Sequence, residues 1–120
     1  MDYIHFHSFN ISEESMLKVQ LSLRKKIIFK NLTNLPNIIS GFDAVYIKNY
    51  AVGVLVTFNY STKKMVECTY AIDKIFSQYK SGFLAFHELP IFLKTYSNLT
   101  INLTFLFTSA LNQYRIFLHK

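Results

Sequence analysis

The 120-residue chain has no tryptophan, one cysteine, two prolines and three glycines, and only 17% of its residues are charged. A single cysteine, Cys68, excludes an internal disulfide framework and a cysteine-based structural zinc site. Sparse glycine and proline beside 51% apolar residues exclude collagen-like, low-complexity and disordered classes. The longest weakly polar stretch, Ile101 to Leu111, falls well short of the roughly 20 residues that cross a bilayer as a helix. Met1 to His5 lacks the basic-then-apolar build of a signal peptide, so the chain is expected to be soluble and cytoplasmic, with no membrane partner. Asn-x-Ser/Thr triplets begin at Asn10, Asn31, Asn59, Asn98 and Asn102, and in such a setting they reflect richness in Asn and Thr rather than glycosylation. The length suffices for one domain with a core and is too short for two ordinary ones.

Acids are scarce and unevenly placed. Against 13 basic residues there are 7 acidic ones, giving a formal charge of +6. No acid falls between Glu14 and Asp43, where Lys18, Arg24, Lys25, Lys26 and Lys30 cluster, and none follows Glu88. This basic run reads either as a solvated helix face or as a surface for a polyanion such as nucleic acid.

Ser12 before Glu13 and Glu14 reads as a helix N-cap with acids at the positive end of the dipole. Met16, Val19, Leu23 and Ile27 recur at helical spacing, which predicts an amphipathic helix from Glu13 to Lys30. The period changes after Pro36. Ile38 to Tyr46, Tyr50 to Tyr60 and Met65 to Ile72 read as three strands joined by Lys48-Asn49 and Ser61–Lys64, an antiparallel meander. The second is apolar on both faces and therefore central. Phe83 to Tyr96 follows as a helix, with Pro90 placed in the first turn of its regular part, and Ile101 to Phe107 as a fourth strand parallel to an earlier one. The fold class is thus α+β or mixed α/β: N-terminal helix, three-strand meander, helix, fourth strand.

Asp43, between Ile38-Ile39 and Val45-Tyr46, is the one carboxylate within an apolar strand. It either lies in solvent at a strand end or is paired or metal-bound, because an isolated charge is costly to bury. Glu88, among aromatics, reads as a first-turn helix acid or a site acid. His5 and His7 form a His-x-His pair near the N-terminus; with His87 and His119 they complete the histidines, and no nucleophile pattern or phosphate-binding glycine loop accompanies them. Eight Tyr and twelve Phe would stack bases or fill a core.

Three segments carry a resemblance in order and spacing: Ile39-Ser40-Gly41-Phe42-Asp43-Ala44-Val45-Tyr46, then Ala51-Val52, then Tyr79-Lys80-Ser81-Gly82-Phe83-Leu84-Ala85-Phe86-His87-Glu88-Leu89-Pro90. Together they resemble endonuclease V, most specifically over Ser81 to Pro90. Gln20-Leu21 and Leu23-Arg24 add to a likeness that extends over roughly residues 16 to 107. It implies an RNase H-like fold in which strand acids hold Mg²⁺ for phosphodiester cleavage near inosine. Asp43 then matches the first metal acid and Glu88 the second. Tyr79 and Lys80 fall in the segment that separates nucleic-acid strands, and Lys18, Arg24, Lys25 and Arg115 are the further candidates for nucleic-acid contact.

Departures from the family pattern bear on function. The family's third metal acid aligns with Phe107, Pro-Tyr-Ile-Pro is Gln78-Tyr79-Lys80-Ser81, and His87 stands where Arg is usual. The family domain is also about twice this length, so the chain is expected to be a truncated, degenerate member. Glu67 and Asp73 are the remaining nearby candidates for a third ligand. The resemblance implies a catalytically impaired or inactive protein that binds nucleic acid or protein, with Mg²⁺ held weakly or not at all. The alternative is a residual Mg²⁺-dependent endonuclease whose third ligand comes from elsewhere or from a partner subunit. Apolar surface left bare around Phe105, Leu106 and Phe107 would drive homo- or hetero-oligomerisation.

Overall fold

A computed structural model describes residues 11–28, 31, 33–34, 36–75, 78–102 and 105–108. Helix α1 (Glu13–Arg24) begins at Ser12, whose side chain accepts a hydrogen bond from the Ser15 N–H at 3.2 Å. It ends six residues short of the expected Lys30. Lys26 and Ile27 donate to the carbonyls of Leu23 and Arg24, three residues back, so the chain tightens out of the α-helix at the Arg24-Lys25-Lys26 run. Cations gather there at the negative end of the dipole, and the β-branched pair Ile27-Ile28 does little to extend the helix.

The meander folds as read. Strands β1 (Ile38–Ile47), β2 (Tyr50–Asn59) and β3 (Lys64–Lys74) pair antiparallel, and β4 (Leu106–Thr108) joins β1 in parallel, giving the order β3-β2-β1-β4. Lys48 turns the first hairpin with φ 55°, and Lys63 turns the second with φ 59°. Asn59 Oδ1 accepts from the N–H groups of Ser61 and Thr62, which fixes the second turn just after the register shift between Thr57 and Phe58. Of the expected fourth strand, only Leu106 and Phe107 pair, together with Thr108; 103 and 104 lie outside the described residues.

Helix α2 (Leu84–Ser97) crosses one face of the sheet. Phe42, Ala51, Leu55 and Ala71 from the strands meet Ile91, Phe92 and Tyr96 from α2, with Leu99 and Leu106 closing the core. Phe92 packs edge-on against Phe42, ring centroids 5.1 Å apart. Gly53 permits this approach: a Cβ there would collide with Thr95 Oγ1 and press on Ile91 and Phe42. Pro90 is the seventh residue of α2 rather than in its first turn, and has no N–H to donate within the helix. The hydroxyls of Ser40 and Thr57, both fully buried, pair at 2.7 Å beneath the core.

The opposite face is different. Val45, Ile47, Tyr50, Val54, Tyr70 and Ile72 alternate with the core residues in the same register and are each 38% to 67% exposed. This is where apolar surface lies open. The expectation that it surrounds Phe105, Leu106 and Phe107 is corrected for the first two, and the side chain at 107 lies outside the described residues. Phe105 and Leu106 are both buried, because Phe105 O accepts from Ser40 N–H and Leu106 enters the α2 core. Among the described residues, no helix is long and apolar enough to cross a membrane.

Candidate functional site

Asp43 sits in β1 immediately past its last pair with β4, which is Phe42 with Thr108. Its position on an exposed stretch of strand lets Oδ1 accept from the adjacent Ala44 N–H at 2.9 Å. Glu88 is the fifth residue of α2, beyond the first turn, so its placement is not that of a helix-start acid. The two acids come within each other's field. Partial burial raises the Glu88 carboxyl above its ordinary value; His87 pulls it down, and the Asp43 charge raises it further.

Tyr46 packs against the α2 core and lies in the field of both acids. Its ring stacks on the His87 imidazole with centroids 4.1 Å apart and planes at 26°, and Tyr79 meets the same imidazole edge-on at 5.9 Å. Burial first, then the charges of Glu88 and Asp43, push the phenol far above its ordinary value, so it stays a neutral O–H. Its oxygen is buried and has no hydrogen-bond partner among the described residues.

The candidates for a third ligand are placed elsewhere. Glu67 accepts from the N–H groups of Thr100 and Ile101 at 2.9 and 3.2 Å, and Asp73 pairs with Lys94 at 3.2 Å. Both belong to β3, separated from β1 by β2, so neither joins Asp43 and Glu88. Position 107 is registered against Gly41, two residues before Asp43 in β1, and supplies no carboxylate there. Among the described residues no three of His, Cys, Asp and Glu gather as a metal cluster.

The basic candidates lie on and beside α1. Lys18 pairs with Glu14 at 3.5 Å, Arg24 and Lys25 mark the helix end, and Lys80 reaches Glu13 at 3.6 Å. Gln20 Nε2 donates to the Gly82 carbonyl at 2.8 Å, which joins α1 to the loop before α2. Tyr79, 58% exposed, stands on that loop. Arg115, Lys30, His5, His7 and His119 lie outside the described residues. Sequence reasoning missed the Tyr46–His87 stack and the Gln20–Gly82 bond; both join residues more than 40 positions apart, and no spacing rule announces them.

Carboxylates such as Asp43 and Glu88 are the oxygen donors that a hard divalent cation takes, and among the described residues no cluster of three His, Cys, Asp or Glu includes them. A mixed four-stranded sheet thus carries one acid on β1, just past the parallel pair with β4, and a second on α2 within its field. The Endonuclease V family profile matches residues 21–110, and the chain belongs to that family. It is 40% identical over 101 residues to an Endonuclease V of Petrotoga mobilis, covering 84% of this chain and 46% of that protein. The Bacillus subtilis Endonuclease_V structure superposes with a TM-score of 0.72 at 28% identity, covering 85% of this chain and 46% of that one. Endonuclease V of Ciona intestinalis, in complex with a 24mer DNA containing an inosine followed by a ribo-adenosine, superposes with a TM-score of 0.62 at 30% identity, covering 70% and 38%. The chain spans about half the length of the relatives it matches.

Proposed function

We propose that this chain is a nucleic-acid-binding domain of the endonuclease V fold in which phosphodiester cleavage is lost or strongly impaired. The observation that carries the reading is the site's composition: Asp43 and Glu88 share a field, while position 107 brings phenylalanine to β4 and Glu67 and Asp73 are engaged elsewhere. Asp43 and Glu88 would hold one divalent cation, Mg²⁺ by family likeness, through one or two carboxylates and retained water. When bound, such an ion polarises a phosphate oxygen and lowers the pKa of its water, but a paired-ion clamp needs a further bridging acid. Asp43 and Glu88 anchor and orient; the stack of Tyr79, His87 and Tyr46 presents one exposed ring to a base.

Nucleic acid as partner is supported by the basic end of α1, fixed to the Tyr79 loop through Gln20 and Gly82, and by the DNA held in the Ciona intestinalis relative. Inosine-containing strands are the first ligands to try. Fluorescence anisotropy with inosine-containing DNA and RNA is expected to give an affinity that falls steeply with salt, with Lys25→Ala flattening the slope by about one ion. Association that ignores salt would contradict nucleic acid as the partner.

A second reading concerns association. The apolar face formed by Val45, Ile47, Tyr50, Val54, Tyr70 and Ile72 favours self-association, since contiguous exposed apolar surface of this kind is uncommon on a monomer.

A further inference from the structure

Three strands present a regular array of side chains on the open face of the sheet. The register aligns Asp43 with Val54 and Tyr70, Val45 with Val52 and Ile72, and Ile47 with Tyr50 and Lys74. Partners across an antiparallel pair share a face, and so do alternate residues of one strand. This set therefore points away from α2, which holds the other face through Phe42, Ala51, Leu55 and Ala71. Asp43 and Lys74 are its charged members and occupy opposite corners, with Val52 at the centre and apolar side chains elsewhere. Strands about 4.8 Å apart, rising about 3.4 Å per residue, set these corners about 17 Å from each other, too far to pair within one chain. The edge of β3 is blunted beside the array: the Tyr70 carbonyl accepts from Asn98 Nδ2 at 3.1 Å and the Ile72 carbonyl from Lys94 Nζ at 3.2 Å, which favours a partner on the face over one at the edge.

We propose that a second copy of this chain covers the array in an isologous, orthogonal sheet-on-sheet dimer, in which Asp43 of each copy pairs with Lys74 of the other. This inference rests on the self-association reading above and adds the orientation of the two copies. A two-fold axis between the sheets, through Val52 and at about 45° to the strands, crosses the strands of the two copies at right angles, one of the two regular packings of stacked sheets. It runs close to the diagonal Ile47–Val52–Tyr70, bringing each of these near its own counterpart, and on ordinary strand spacings it exchanges the charged corners to within about 3 Å. A lysine side chain spans that offset. The other symmetric orientations place the charges badly. An axis along the strands sets Asp43 over Tyr70, one across the strands sets it over Ile47, and the second diagonal sets the two Asp43 carboxylates face to face. A carboxylate buried without a partner is costly, so the charges select the first diagonal. Asp43 is covered in this dimer, and a cation at Asp43 therefore belongs to the monomer.

The test is sedimentation of the full chain over a concentration series, with Asp43→Lys and Lys74→Glu measured as separate proteins and as an equimolar mixture. Both positions are exposed, so neither substitution disturbs the core. Each alone opposes like charges at both corners of the dimer and is expected to weaken the association at least about tenfold. Mixed, the two variants restore both opposite-charge pairs, and a heterodimer of near wild-type affinity is expected. Single variants that associate as the wild type does would overturn the pairing while leaving self-association by this face standing. Weakened variants that do not recover on mixing would overturn the two-fold arrangement. A wild-type protein that stays monomeric at high concentration would remove the self-association reading and this inference together.

Discussion

His87 lies flat against Tyr46, ring centroids 4.1 Å apart, and so ties α2 to β1 beside the two acids. The same imidazole touches Tyr79 as well, edge-on. Replacing His87 with Ala removes both ring contacts. A loss of about 1 kcal/mol in urea unfolding is expected, accompanied by altered tyrosine fluorescence from the freed Tyr79; an unchanged midpoint would show that the stack carries no weight.

Gly53 sets how closely α2 approaches the sheet. Gly53→Ala drives a methyl group into Thr95 Oγ1, with Ile91 and Phe42 crowding the same point, and none of these is the free end of a long side chain. Destabilisation of about 2 kcal/mol is expected from such overpacking, read as a lower denaturation midpoint with an unchanged slope. A neutral result would mean that α2 stands further from β2.

Glu67 fastens the chain after α2 to β3. Burial alone would raise its carboxyl, but the N–H groups of Thr100 and Ile101 outweigh that and hold it below the ordinary value. A depressed folded-state value means stability present above the unfolded glutamate range and lost as pH falls through the folded value. Glu67→Gln should therefore melt below the wild type at neutral pH, with the gap closing on acidification. A gap that widened in acid would reverse the sign and contradict the assignment.

The bare sheet face gives a direct prediction of assembly. Tyr70 and Ile72 lie at 67% and 54% exposure on β3, so Tyr70→Lys with Ile72→Lys should leave the core intact and shift sedimentation from oligomer to monomer. A wild-type protein that sediments as a monomer at high concentration would remove this reading.

Much of this architecture is legible in the residues themselves. Ser12 with Glu13 and Glu14 announces the start of α1, and the switch from helical to strand period after Pro36 announces the meander, because caps and alternation are local signals. Asp43 and Glu88 are singled out as candidates by the motifs that surround them, and the fold sets each within the other's field. What is not legible depends on tertiary contact. The early end of α1, the place of Pro90 within α2 and the burial of Phe105 and Leu106 follow from packing that no periodicity encodes. Which sheet face stays open is likewise invisible in sequence: β2 is apolar on both sides, and only the side on which α2 settles decides between them.

We propose that Asp43 and Glu88 form an incomplete site that binds without cutting efficiently. The most direct test is the cleavage of inosine-containing DNA and RNA by the wild-type protein in Mg²⁺ or Mn²⁺, set beside Asp43→Ala under the same conditions. Binding with equal background cleavage by both proteins is the predicted result. Metal-dependent cleavage that vanishes in Asp43→Ala would contradict it and restore a working nuclease with a third ligand still to be found.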